Sequence, residues 1–442
     1  MGVTCRAAVV GQLAAALMLS MTSTALAASP SDASRREDVI VVFHDTVRDP
    51  RGAARDMARR HDGEVRFVYE HALKGFAGRL PAEAIRGMQS DRRVDFVELD
   101  QRIGIFNQAI PTGVRRIFAD ENANIGIDGS NADAVNVDVA IIDTGIDDDR
   151  PDELNVVGGA RCTSLVGLFP SCSGGGYDDD NGHGTHVAGT VGAIDDNDGV
   201  VGVAPGARLW AVKVLTANGT GWMSQVAAGV DWVTARAKTI EVANMSLGCE
   251  CSSSALDRAI SGSVAKGVVY AVAAGNDDAD ANDFSPANHK DVITVSALAD
   301  FDGEPGHVGA STCRKDQDDT LADFSNWGTT VEVAAPGVCI LSTVPRELDT
   351  SGAPADGYAT YSGTSMASPH VAGAAALLAS RNNPNSASDV QLIRDTILSA
   401  GNFDWIDDSG DGVMEPLLDV GVSTVFDPIL TGENSPSSAD SN

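Results

Sequence analysis

The chain lacks a transmembrane segment: a spanning helix needs about 20 apolar residues, and after Leu19 no stretch reaches about 18. It is also short of positive charge. Its 31 Lys and Arg stand against 62 Asp and Glu, a net of −31, and such a surface repels nucleic acid and anionic membranes. There is no His-Glu-x-x-His, which excludes the zinc-metalloprotease helix built on that motif. No two cysteine pairs have Cys-x-x-Cys spacing, which argues against structural zinc. No internal repeat is found, so a solenoid or propeller is not indicated.

What is present begins with an export signal. Arg6, the apolar run Ala7 to Leu19 and the small residues Ala25-Leu26-Ala27 read as a secretory leader over residues 1–27. Removing it takes away Cys5 and leaves six cysteines, an even number suited to disulfides in an exported protein. Six cysteines allow 15 pairings. Neighbour pairing (Cys162 with Cys172, Cys249 with Cys251, Cys313 with Cys339) is the reading taken. The charge is uneven: residues 28–106 hold 14 basic and 14 acidic residues, residues 107–442 hold 16 and 48. So acidic a surface suits divalent cations or salty surroundings, and equally a very soluble secreted protein.

Residues 38–106 read as a small domain. Strands are expected at Val39–Phe43, Val65–Tyr69, Phe76–Leu80 and Val94–Leu99, with helices at Arg51–His61 and Ala82–Met88. Strand-helix-strand-strand-helix-strand is the ferredoxin-like order. From Val135 the pattern changes to apolar strands between helices, at Val137–Ile142, Leu209–Val214, Val242–Met245, Val268–Ala273 and Val292–Val295. Near-continuous apolar strands indicate a mostly parallel sheet with helices on both faces, whose sites lie at the strands' C-terminal ends.

From Met366 nearly every residue is small or apolar, with no charge until Arg381, as in a helix enclosed by a large core. Pro369 is expected in its first turn. Ser365 then sits at the helix N-terminus, where free N–H groups and the dipole favour developing negative charge. Two further blocks stand out. Val139-Ala-Ile-Ile-Asp143-Thr-Gly145 places an acid at a strand end, and Asn181-Gly-His183-Gly-Thr-His186-Val-Ala-Gly189 opens a small-residue helix. Singly, these are a turn former, a capping group and an N-cap. Together they give the order Asp…His…Ser, one of the three unrelated orders in which the hydrolytic triad occurs. The order Ser…Asp…His does not fit, because the only later histidine is His370 and Gly363-Thr-Ser-Met-Ala367 lacks the second glycine of G-x-S-x-G.

These blocks resemble those of the subtilisin-like serine proteases, and Asn282-Asp-Phe-Ser-Pro-Ala287 resembles the proteinase K branch. The resemblance covers the chain from 38 to about 425. It implies a secreted endopeptidase with Ser365 as nucleophile, His183 as general base and acid, and Asp143 orienting His183. His186 matches the family's second, non-catalytic histidine. Asn276, ending Tyr270-Ala-Val-Ala-Ala-Gly-Asn276, matches the oxyanion asparagine; losing such a side chain cost about 10²–10³ in kcat in subtilisin itself. Ser246, Leu247 and Gly248, with Ala273, Ala274 and Gly275, match the walls of the P1 pocket. Gly219 and Gly221 match the strand that pairs with substrate backbone.

The resemblance also implies calcium as a structural cofactor. Gln108, Asp152, the carbonyls of Ile194 and Val200, and Asp196 match the ligands of the family's strong loop, with Asp198 departing from the usual apolar residue. The second acidic run, Asp407 to Glu415, starts with EF-like spacing but has no acid at the twelfth position and reads as a solvated loop. The implied organisation is a leader (1–27), a ferredoxin-like α+β propeptide that chaperones and inhibits (28–106), a catalytic domain (107–426) and a disordered tail (427–442). Gln108 matches the second mature residue, so the self-cut falls after Phe106. Ile103-Gly-Ile-Phe106 then models the substrate, and an aromatic or large apolar P1 residue is expected. Partners would be polypeptide substrates and the protein's own propeptide, with no nucleic acid or membrane, on a monomer. The alternative is a catalytically silent binding protein on the same fold, against which the complete triad argues.

Overall fold

The computed structural model describes residues 36–88, 91–99, 108–130, 134–150, 152–163, 172–348 and 357–431. The leader, the expected cut after Phe106 and the end of the tail lie outside them. The chain divides into two compact units between Ile105 and Phe106.

The first unit runs β1 (Arg36–Phe43), α1 (Pro50–Arg60), β2 (Glu64–Tyr69), β3 (Gly75–Pro81), α2 (Ala82–Met88) and β4 (Val94–Leu99). Its strands form one antiparallel sheet in the order β2-β3-β1-β4, the ferredoxin-like arrangement. Alternation along β1 turns Val39, Val41 and Phe43 onto one face, where they pack with Ala54 and Met57 of α1. Asp49 caps α1 by accepting the Gly52 N–H at 2.9 Å.

The second unit contains β5 (Asp138–Asp143), β6 (Val156–Arg161), α3 (His183–Gly192), β7 (Arg208–Lys213), α4 (Met223–Thr234), β8 (Val242–Met245), α5 (Ser254–Val264), β9 (Val269–Ala273), β10 (Ile293–Ala299), β11 (Val333–Pro336), α6 (Thr364–Asn382) and α7 (Ala387–Ala400). The parallel core of the sheet is ordered β10-β9-β8-β5-β7-β6, with β11 parallel beside β10. Short antiparallel strands, Thr320–Leu321 and Ser173–Gly174, pair with β10 and β6. Strands β5, β8, β9 and β10 are buried along their whole length, which is why they read as continuous apolar runs. After β5 the chain goes out to β6 and returns to β7, which fills the place between β6 and β5; it then builds outward through β8, β9 and β10 on the other side. The carboxyl ends of β5 and β8 therefore flank a topological switch point.

Helix α6 passes through the centre, buried from Met366 to Ala379. Its small residues allow close approach: a Cβ on Gly373 would stand 2.5 Å from Val203 Cβ. Pro369 is not in the first turn as expected. The helix begins at Thr364, so Pro369 lies in the second turn, and its missing N–H leaves the Ser365 carbonyl without a helical donor.

The tail is ordered further than expected. Leu430 bridges to Val135, and Thr431 N–H donates to the Ala134 carbonyl, because Phe426, Ile429 and Leu430 have apolar surface to bury. Nor is the second acidic run wholly solvated: Glu415 is buried and accepts the Ser296 hydroxyl. All three disulfides join neighbours, Cys162–Cys172, Cys249–Cys251 and Cys313–Cys339.

Candidate active site

Asp143 ends β5 at the switch point with its side chain fully buried. Its Oδ1 accepts the Thr144 N–H at 2.7 Å and the Nδ1–H of His183 at 2.8 Å, while Oδ2 has no hydrogen-bond partner among the described residues. His183 is the first residue of α3, with its side chain 27% exposed. Burial pushes its pKa down, but the charge and hydrogen bond of Asp143 and the charge of Asp179 outweigh this and leave it raised. The carboxylate fixes the Nδ1–H tautomer and so leaves Nε2 as the ring's unprotonated nitrogen. Among the described residues Nε2 makes no hydrogen bond.

The N-terminus of α3 is fully satisfied, which fixes the ring's base. His183 N–H donates to Asn181 Oδ1, Gly184 N–H to Thr144 Oγ1, Thr185 N–H to Asp179 Oδ2 and His186 N–H to the Gly182 carbonyl. Gly182, before the helix, has φ 97°, a conformation open mainly to glycine. His186 is buried, stacks on Tyr361 at 4.5 Å and donates through Nε2 to the Ile340 and Ala359 carbonyls. Burial lowers its pKa to about 3, so it stays neutral.

Ser365 is the second residue of α6, and its hydroxyl donates to the Ser246 carbonyl at 3.3 Å. The carbonyl that Pro369 leaves free accepts the Ser246 hydroxyl at 2.7 Å. Ser246, at the end of β8, is itself held by Asn244 Nδ2 and Ser368 Oγ, both at 2.9 Å. Asn276 lies just beyond β9. Its Oδ1 accepts both the N–H and the hydroxyl of Thr364, at 2.8 and 2.9 Å, which commits the oxygen and leaves the NH₂ as a free donor.

Two cavities meet at Leu247, Gly248 and Cys249. The first, about 560 Å³, is lined by His183, Gly219, Gly221, Trp222 and Ser246. The second, about 260 Å³, is lined by Ala273, Ala274, Gly275, Asn276 and Ser365. Together they hold both ends of the expected site and both pocket walls.

The loop residues expected to hold calcium converge only in part. Gln108 Nε2 lies 3.0 Å from the Ile194 carbonyl and 3.5 Å from that of Val200. With the amide turned over, its oxygen would join two carbonyls in an all-oxygen set, the donor chemistry of Ca²⁺. Asp196 is half-buried on the same loop, where its Oδ1 accepts the Asp198 N–H. Asp152 does not join them. It is 58% exposed and faces Arg346 at 3.6 Å. The neighbouring Glu153 is buried instead, bonded to Tyr358 and packed on Gly199, because the turn after Arg150 directs residue 153 inward. Elsewhere Asp300, Asp302 and Asp318 bring carboxylate oxygens within 4.8 Å of one another.

Sequence reading missed Asp179, Thr144 and Thr364. Asp179 had a legible signal, an acid four residues ahead of His183, but the run Asp178-Asp-Asp180 concealed which carboxylate is the cap. The bond from the Ser246 hydroxyl to the Ser365 carbonyl crosses from one element to another and had none.

The comparisons with known proteins show a serine endopeptidase. A family model described as the subtilase family matches residues 135–414. Alkaline protease of Shouchella clausii is 35% identical over 78% of this chain and 80% of its own length. Subtilisin E of Bacillus subtilis (strain 168) is 35% identical over 83% of this chain and 86% of its own. The solved structure of a cold adapted subtilisin-like serine proteinase is 33% identical, with a TM-score of 0.52, covering 70% of this chain and 97% of the other. The chain belongs to the subtilase family.

Ser246→Ala would leave the part-buried Ser365 carbonyl without a donor. It is expected to lower stability by about 1–3 kcal/mol in urea unfolding and to reduce kcat with KM little changed. Wild-type values for both would show that the carbonyl needs no replacement donor.

Proposed function

We propose that this serine endopeptidase is secreted as a self-processing precursor and cleaves polypeptides through an acyl-enzyme on Ser365. The observation that carries the reading is the 2.8 Å bond between buried Asp143 and His183 in the cavity system that Ser365 lines. His183 Nε2 takes the Ser365 proton as the hydroxyl attacks the scissile carbonyl, then returns it to the leaving amine; Asp143 stabilises the imidazolium between these steps. The oxyanion is met by the Asn276 NH₂ and the Ser365 N–H, one of the unpaired donors at the start of α6. The strand at Gly219 to Gly221 offers backbone to an extended peptide.

The first unit serves as chaperone and inhibitor, released by a cut after Phe106. The leader directs export, and the mature protein acts as a monomer without membrane or nucleic acid; among the described residues no helix is long and apolar enough to cross a membrane. Calcium is a structural cofactor, held by Gln108, Ile194, Val200 and Asp196, with Glu153 rather than Asp152 the nearest buried acid. When bound it would lock the loop after α3 against the segment carrying Gln108.

Ser365→Ala is expected to abolish peptide hydrolysis, to leave the fold intact and to leave the precursor uncut, as read by gel and N-terminal sequencing. Maturation of the pure alanine variant would defeat the self-processing reading.

The two P1 wall segments carry no acid and, Leu247 apart, only small side chains, although Glu250 and Asp277 line the same cavity; a Phe-P1 peptide should turn over faster than its Arg-P1 twin. The reverse order, or a mature terminus beyond about Gly113, would overturn the specificity reading.

Excess EDTA should lower Tm well before it lowers the initial rate, because an ion that binds only the native state stabilises it by mass action. An unchanged Tm would count against the calcium assignment.

A further inference from the structure

Beside the bonded pair Asp143 and His183 lies a second carboxylate whose bonds all run to the two segments that carry them. Asp179 is buried. Its Oδ1 accepts the Thr144 hydroxyl at 2.8 Å, the Asn181 N–H at 3.0 Å and the Gly182 N–H at 2.9 Å; its Oδ2 accepts the Thr185 N–H at 2.9 Å and hydroxyl at 2.6 Å. Every bond has a structural consequence. Those from Gly182 and Thr185 cap α3 around His183, and that from Thr144 reaches the residue directly after Asp143. The same Thr144 hydroxyl accepts the Gly184 N–H at 2.8 Å, so β5 and α3 are bridged twice through one side chain.

We propose that Asp179 is a positioning residue for His183, holding the imidazole against Asp143 through Thr144 and favouring the imidazolium with its own negative charge. The inference rests on His183 acting as the general base.

Two features separate this role from ordinary capping. A cap needs one or two acceptor contacts, whereas this carboxylate uses both oxygens and spans two elements. Its charge also contributes to the raised pKa of His183, alongside that of Asp143. The charged and titratable groups around the ring are Asp143 from β5, Asp179 from the loop before α3 and His186 from α3 itself. Lys213 of β7 stands behind them, donating to the Thr144 carbonyl and to Asp180 Oδ1. It thereby ties the residue directly after Asp179 to β7.

The sign follows from the charge. A carboxylate near an imidazole stabilises the protonated ring, so replacing it by a neutral amide lowers the pKa of His183. The free-base form that takes the serine proton is then reached at lower pH, and the acid limb of kcat/KM moves down.

The test compares wild type, Asp179→Asn and Thr144→Val as full chains, with competent sites counted by an organophosphonate and kcat and KM followed from pH 5 to 9 on one peptide. For Asp179→Asn, kcat should fall roughly 10- to 100-fold with KM within about twofold, and the acid limb should move down by roughly half a pH unit. For Thr144→Val, which keeps the charge but cuts the bridge, kcat should fall with the limb in place. An unmoved limb in Asp179→Asn, or a loss carried by KM, overturns the inference. If Asp179→Asn fails to fold, wild-type kcat in Thr144→Val overturns it and a reduced kcat supports it. Ser365→Ala run alongside separates the two readings: activity surviving there removes the triad assignment, whereas activity lost there with unaltered Asp179 and Thr144 variants removes only this inference.

Discussion

The second unit depends on the burial of α6. A helix with no polar face is stable only when other elements cover it all round, and here α3, β8, β9, β10 and β11 do so. Its Ala and Gly residues set how near those elements come, and Gly373 against Val203 shows how little room remains. Because the helix cannot shift, its N-terminus is a fixed point, and Ser365 is attached to it. The cost is local. Pro369 removes one helical hydrogen bond inside the core, and Ser246 supplies the replacement.

Asp143, Ser246 and Asn276 each stand at or just past the carboxyl end of a parallel strand, on β5, β8 and β9. Parallel strands bring those ends to one edge, and the reversal of strand order around β5 opens a crevice there. Loops provide the variety and the sheet provides the rigidity. The hydrogen bonds that tie loop to strand, Thr364 to Asn276 and Asp179 to Thr144, are therefore part of the site as much as the reacting groups are.

Charge is handled differently inside and outside. The excess of acid over base in residues 107–442 is mostly a surface property, solvated and screened. Buried charge is paired or bonded. Arg116 lies with no exposure against Asp319 at 2.7 Å and the Asp404 carbonyl, and Arg208 grips Asp138 at 2.5 Å. Removing one member of such a pair is expensive, because the partner is then left charged in a poor solvent.

Both fold classes were legible in the sequence, because elements are local: their order in the first unit, and unbroken apolar strands between helices in the second. The three blocks around Asp143, His183 and Ser365 were legible for a related reason, since each is a short motif on one element. Neighbour pairing of the cysteines was readable as far as short spacing favours it. What tertiary structure decided is whatever depends on a contact between distant segments or on which way one side chain turns. That Glu153 and not Asp152 points inward is set by the turn after Arg150. That residues 427–431 are ordered is set by the edge at Ala134 and Val135. That Pro369 is tolerated in the second turn is set by a hydroxyl 123 positions away in the chain. That Asp179, among three consecutive aspartates, is the one that joins β5 to α3 follows from where Thr144 lies in space. Sequence determines the elements and the chemistry each one carries; packing determines which acceptor meets which donor, because a hydrogen bond depends on position to within a few tenths of an ångström and a linear pattern carries no such information.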